Sequence, residues 1–165
     1  MNPTLRDLYQ RIILQHNSQP QNLGPLPQAT HQASLHNALC GDQITLRLRI
    51  EPATADQATH DPSPRIVQAC FEGDSCALCR ASASLMTQRI AGTTPLQALA
   101  LAARLRAFLS PPAPAVSVDA ASRQSSESDL GDLAALQGVR EVPARLRCAT
   151  LPWEALMHAL QPSPR

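Results

Sequence analysis

Lysine is absent: all 14 basic residues are arginine. With abundant alanine and 15 prolines, that composition reads as coding bias and carries no functional argument. Aromatic residues are few, limited to Tyr9, Phe71, Phe108 and Trp153. Recognition of single-stranded nucleic acid or sugars by stacking needs more of them, and the core has to be built from Leu, Ile, Val and Ala. Charge is nearly balanced at a net +1, which leaves no field to draw in nucleic acid or an anionic membrane. Long apolar runs are missing too. The richest, Leu96 to Leu109, is broken by Arg104 and Arg106 and is too short to span a bilayer. Arg6, Asp7 and Arg11 interrupt the apolar pattern of MNPTLRDLYQRIILQHN, so no export signal is read there. The expected location is cytoplasmic, with neither a membrane nor a nucleic-acid partner. Five cysteines in such a chain, an odd number, argue against a disulfide framework and toward metal ligation or thiol chemistry.

At 165 residues the chain fits one domain, large enough to bury a core without disulfide staples. Asn2 and Pro3 mark a helix start. Leu5, Leu8, Tyr9, Ile12 and Ile13 then recur at helical spacing, and the helix fades near Asn17. Thr30 to Leu39 is a weakly alternating strand. Ile44, Leu46, Leu48 and Ile50 alternate with Thr45, Arg47 and Arg49, the pattern of a half-buried antiparallel strand. A third strand runs from Arg65 to Glu72. Ser75 is expected to cap a helix from Cys76 to Ile90, and Pro95 opens another reaching Leu109. A short helix begins at Asp129 and a last one covers Pro143 to Leu160. Residues 51–64 form an exposed loop, 110–128 a flexible Pro/Ser-rich insert, and 161–165 a short tail. Strands first and helices after imply an α+β fold: a three-stranded antiparallel sheet with helices packed on one face.

The cysteines differ in setting. Cys40-Gly41-Asp42 lies between the first two strands, where an extended backbone would turn thiolate and carboxylate to one side and the glycine permits a sharp bend. Such a tripeptide also suits a turn with a buried cysteine. Cys76 falls at a helix N-terminus, where free amides and the macrodipole favour a thiolate. Cys79 completes a C-x-x-C, a redox pair or half a zinc knuckle, yet no second half exists, and a buried bystander thiol is the favoured reading. Cys70 reads as a core cysteine on a strand. Cys148 opens or precedes the last helix. The five histidines lack metal spacing, and only His16, ending the first helix, draws notice.

Five segments then carry a resemblance: LYQRIILQHNSQPQNLG, CGD, FEGDSCALCRASASLMTQ, LGDLAALQGV and PARLRCATLPWEAL. In this order they resemble the SufU family, within the wider U-type (NifU N-terminal-like) iron–sulfur scaffold superfamily. The resemblance omits mainly the 51–64 loop, the Pro/Ser-rich insert and the tail. It implies a Zn²⁺ held by Cys40, Asp42, Cys76 and Cys148, a donor set suited to tight tetrahedral zinc. It implies a zinc-dependent sulfurtransferase whose Cys40 accepts persulfide sulfur from a PLP-dependent cysteine desulfurase of the SufS type, for iron–sulfur cluster biogenesis with downstream assembly proteins. Arg145, in the P-A-R-x-x-C pattern, is either a surface arginine or a contact to the desulfurase.

Ser75 stands where the family pattern has glycine, Cys70 and Cys79 are extra thiols, and the 51–64 loop is long. Two other functions compete. The first is a scaffold carrying a transient iron–sulfur cluster; scaffold-type relatives place a histidine before the last cysteine, where this chain has Arg147, and lack the insert between the second and third cysteines. The second is a non-catalytic, zinc-stabilised adaptor.

Overall fold

The fold is taken from a computed structural model that describes residues 3–54, 61–110 and 129–161. Helix α1 (Pro3–Ser18) leads into a three-stranded antiparallel sheet in the order β1-β2-β3, with β1 at His31–Asn37, β2 at Asp42–Glu51 and β3 at Arg65–Glu72. Then come α2 (Ala77–Ile90), α3 (Pro95–Leu109), a 3₁₀ segment at Gly131–Glu141, a short 3₁₀ turn at Pro143–Arg145, and α4 (Leu146–Ala159). The three-stranded antiparallel α+β architecture read from the sequence is the one observed. None of the helices among the described residues is long and apolar enough to cross a membrane.

The alternation in β2 decides which way the sheet faces. Ile44, Leu46 and Leu48 are at most 2% exposed and join Ile66, Ala69 and Phe71 of β3 in one cluster with α2 and α4. Arg47 and Arg49 take the opposite face, where they pair with Glu72 and Glu51. Cys70 lies across from Arg47 in the strand register, so it is buried on this outer face and not in the core cluster. That corrects its reading as a core cysteine.

Trp153, fully buried, donates its indole N–H to Ser82 Oγ at 3.1 Å, and that hydroxyl donates to the Ala149 carbonyl at 2.6 Å. The chain satisfies its one buried indole by tying α2 to the first turn of α4. His16 does the same between α1 and α2: its Nδ1 lies 2.8 Å from Ser84 Oγ, which also accepts the Gln21 amide N–H at 2.7 Å.

Four local expectations shift. The cap of α2 is Cys76, not Ser75. The segment after Asp129 winds as a 3₁₀ helix over Gly131–Glu141, and a 3₁₀ turn precedes α4, which starts at Leu146. The first strand is shorter than expected, ending at Asn37. The Asn2 cap, most of the Pro/Ser-rich insert, part of the 51–64 loop and most of the tail lie outside the described residues.

Candidate metal centre

Three chain segments meet where β1 ends. Asn37, 1% exposed, closes the turn after β1 by accepting the backbone N–H groups of Cys40 (3.3 Å) and Gly41 (2.9 Å) on its carbonyl. Gly41 has φ +77, a left-handed conformation that glycine adopts without strain. Cys40 therefore sits in a tight turn, not in extended backbone, and this turn brings its sulfur back over Asp42. Cys40 Sγ lies 2.9 Å from Asp42 Oδ2 and accepts the Asn37 side-chain amide at 2.9 Å.

Asp42 opens β2 and is 1% exposed. Its Oδ1 accepts the Cys76 backbone N–H at 2.6 Å and its Oδ2 lies 3.5 Å from Cys76 Sγ. One carboxylate thus satisfies a free amide at the start of α2, a role usually taken by a capping side chain from the helix's own chain segment. Cys148, in the first turn of α4, brings its Sγ to 3.5 Å from Cys40 Sγ. Pro152 lies four residues further on in α4; lacking an N–H, it withdraws the usual helix partner from the Cys148 carbonyl.

The ligand atoms of Cys40, Asp42 and Cys148 all lie within 4.8 Å of one another, and Cys76 adjoins them through Asp42. Donor atoms bound tetrahedrally to zinc at ordinary bond lengths are about 3.5–3.8 Å apart. The Cys40 sulfur lies 2.9 Å from the Asp42 carboxylate and 3.5 Å from the Cys148 sulfur, close enough for these three groups to share one ion; the Cys76 sulfur, 3.5 Å from Asp42, stands just outside that group. The electrostatics agree. Burial pushes the Asp42 carboxyl up, but the Cys40 thiol, the Cys76 amide and the other two thiols outweigh it and hold the group below its ordinary value. Burial, and then the Cys40 and Asp42 side chains, push the Cys148 thiol up. A carboxylate among crowded thiols gains from a central cation. The residues fit a zinc ion.

Arg145 lies at the rim, exposed, where the neighbouring Cys148 thiol and then that of Cys76 raise its pKa. Cys79 is fully buried; burial, and next the negative neighbours Asp42 and Cys76, push its thiol up, partly offset by a hydrogen bond from Ser75. Its burial agrees with the reading favoured over a redox pair or half a zinc knuckle. Asn37, which positions Cys40, went unread in the sequence; a polar residue at a strand end three positions before a cysteine was its only signal.

A family model described as the NifU-like N-terminal domain matches residues 8–149. The chain is 33% identical to the zinc-dependent sulfurtransferase SufU of Bacillus subtilis (strain 168), over 94% of this chain and 90% of that protein. It is 28% identical to the iron–sulfur cluster assembly scaffold protein IscU of Streptococcus pyogenes serotype M1, over 96% of this chain and 86% of that one. A solved structure of a candidate iron–sulfur cluster assembly scaffold protein of the SUF system, from Fervidobacterium islandicum AW-1, superposes with TM-score 0.71 and 26% identity, covering 91% of this chain and 94% of the other. With the family match spanning most of its length and the SufU likeness nearly all of it, the chain belongs to the NifU-like N-terminal domain family.

Proposed function

We propose that this protein is a zinc-dependent sulfur acceptor in iron–sulfur cluster assembly, taking persulfide sulfur from a PLP-dependent cysteine desulfurase onto Cys40. One observation carries the choice of residue: within an otherwise buried or half-buried cluster, Cys40 alone is exposed. Cys40, Asp42, Cys76 and Cys148 hold the zinc. The ion, when bound, keeps the ligand sulfurs deprotonated and restrains the Cys40 thiolate until it is needed.

Transfer is exchange at sulfur. The Cys40 thiolate attacks the terminal sulfur of the donor's persulfide. The new bond joins Cys40 Sγ to that sulfur, the donor's S–S bond breaks, and the donor cysteine leaves as a thiolate carrying the electron pair. The persulfide proton stays with the transferred sulfur or passes to solvent. Asn37 orients Cys40 by its amide, and Asp42 ties the site to α2 through the Cys76 N–H. Arg145, exposed at the rim beside Cys148 and Cys76, is the residue we assign to the contact with the desulfurase.

The cluster-scaffold reading is second. Arg147 argues against it, because an always-charged guanidinium has no lone pair to offer iron, and here it pairs with Glu154 at 4.0 Å. The test is to mix zinc-loaded protein with a SufS-type desulfurase and cysteine, then map the gain of one sulfur by mass spectrometry. The expected result is a persulfide on Cys40 and faster cysteine turnover. A Cys40→Ala variant that still stimulates turnover fully would sink the assignment, and an iron–sulfur absorption spectrum in the purified protein would favour the scaffold.

A further inference from the structure

Leu39, beside the acceptor cysteine, is 86% exposed, more than any other large hydrophobic side chain among the described residues. A single exposed leucine ordinarily needs no explanation. This one is held in place. Its backbone N–H donates to Asn37 Oδ1 at 3.2 Å, and the two residues after it bond to the Asn37 carbonyl. The turn that aims Cys40 therefore also presents Leu39 to solvent in a defined position.

Leu39 borders a groove of about 420 Å³ whose other walls include Pro143, Leu146, Arg106 and Arg147. Its single carboxylate, Glu154, is already engaged by Thr150 at 3.1 Å and by Arg147. The groove is thus apolar at its lip and cationic at its sides. Sulfur transfer needs the donor sulfur within about 3–3.5 Å of Cys40 Sγ. A protein that brings its persulfide so close covers the adjacent side chain as well.

We infer that Leu39 is the apolar anchor of the sulfur-donating protein, which receives it in a socket bordered by carboxylates that meet Arg106 and Arg147. The inference rests on Cys40 being the sulfur acceptor. It adds to Arg145 an apolar determinant of donor recognition, separate from the metal ligands.

The experiment uses the full, zinc-loaded chain and the SufS-type desulfurase of the same organism. Binding is measured by calorimetry, and sulfur arrival on Cys40 is measured against protein concentration. Leu39→Ala should bind roughly 10–100-fold more weakly, the loss expected for one buried leucine side chain. Its KM should rise while kcat at saturation and zinc content stay at the parent's level. Leu39→Met should recover to within about threefold of the parent. Arg106→Glu should weaken binding at low salt and progressively less as salt rises. A Leu39→Ala protein that binds as tightly as the parent overturns the anchor, and so does one that loses its zinc. If the parent itself gains no sulfur on Cys40, the acceptor reading and the anchor fall together; if parent and variant gain it equally well, only the anchor falls.

Discussion

The Cys40 and Cys148 sulfurs lie 3.5 Å apart although 108 residues separate them in the chain. Two thiols so close invite either a shared cation or oxidation. Removing the metal with a chelator should therefore lower the melting temperature, because an ion shared by Cys40, Asp42 and Cys148 would join the β1–β2 turn to the start of α4. Mild oxidation of the metal-free protein should then yield a Cys40–Cys148 disulfide, which zinc suppresses. Peptide mapping by mass spectrometry reads both outcomes; a disulfide between other cysteines contradicts the geometry.

Asp42 has two tasks, and two substitutions separate them. Asp42→Asn keeps an oxygen for the Cys76 N–H but removes the charged ligand. Asp42→Ala removes both and leaves the amide unpaired, a further cost of about 1–3 kcal/mol. Both should lose most of their zinc by metal analysis. In metal-free protein, chemical denaturation should show Asp42→Ala less stable than Asp42→Asn. Equal stabilities would mean that the 2.6 Å bond to Cys76 contributes nothing.

Gly73 leads the chain from β3 toward Cys76 with φ +138, and a Cβ there would run into the Gln43 carbonyl oxygen. The strand neighbour cannot yield freely, since Gln43 N–H donates to the Asp74 carbonyl at 2.7 Å. Gly73→Ala should destabilise by about 3 kcal/mol from strain and overpacking. It should also weaken zinc binding, because Cys76 follows three residues later. Denaturation and a competitive zinc titration measure the two effects.

His16 should make stability depend on pH. Burial lowers its pKa below the ordinary histidine value, with Asp132 partly opposing. The unfolded chain then binds the proton more readily, so the contribution is present above about pH 6.5 and is lost as pH falls through the folded value. His16→Gln should flatten the decline in melting temperature between neutral and mildly acidic pH. An unchanged slope would assign the whole decline to other groups, the zinc ligands first among them.

What was legible in the sequence was local. The 2.0 period of Ile44, Leu46 and Leu48 set against Arg47 and Arg49 determined a strand and its buried face, and Pro95 marked the start of α3, whose Thr94–Gln97 capping box the structure adds. Cys40, Asp42, Cys76 and Cys148 became a set only through the resemblance of the segments around them to the SufU family, since cysteine spacing alone left a turn, a redox pair and a knuckle all open. The tertiary structure decided the rest. That Asp42, and not Ser75, satisfies the amide at the start of α2 depends on the first residue of β2 meeting the cap of α2, a contact between residues 34 positions apart. Cys79 and Cys148 are both fully buried, yet only Cys148 meets Cys40, because the direction of a side chain on a helix follows from what that helix packs against. The exposure of Cys40 and Leu39 follows from the Asn37 turn and from the absence of any described element above it. Local pattern determines which face of an element seeks the core; which distant atoms then meet is settled by packing.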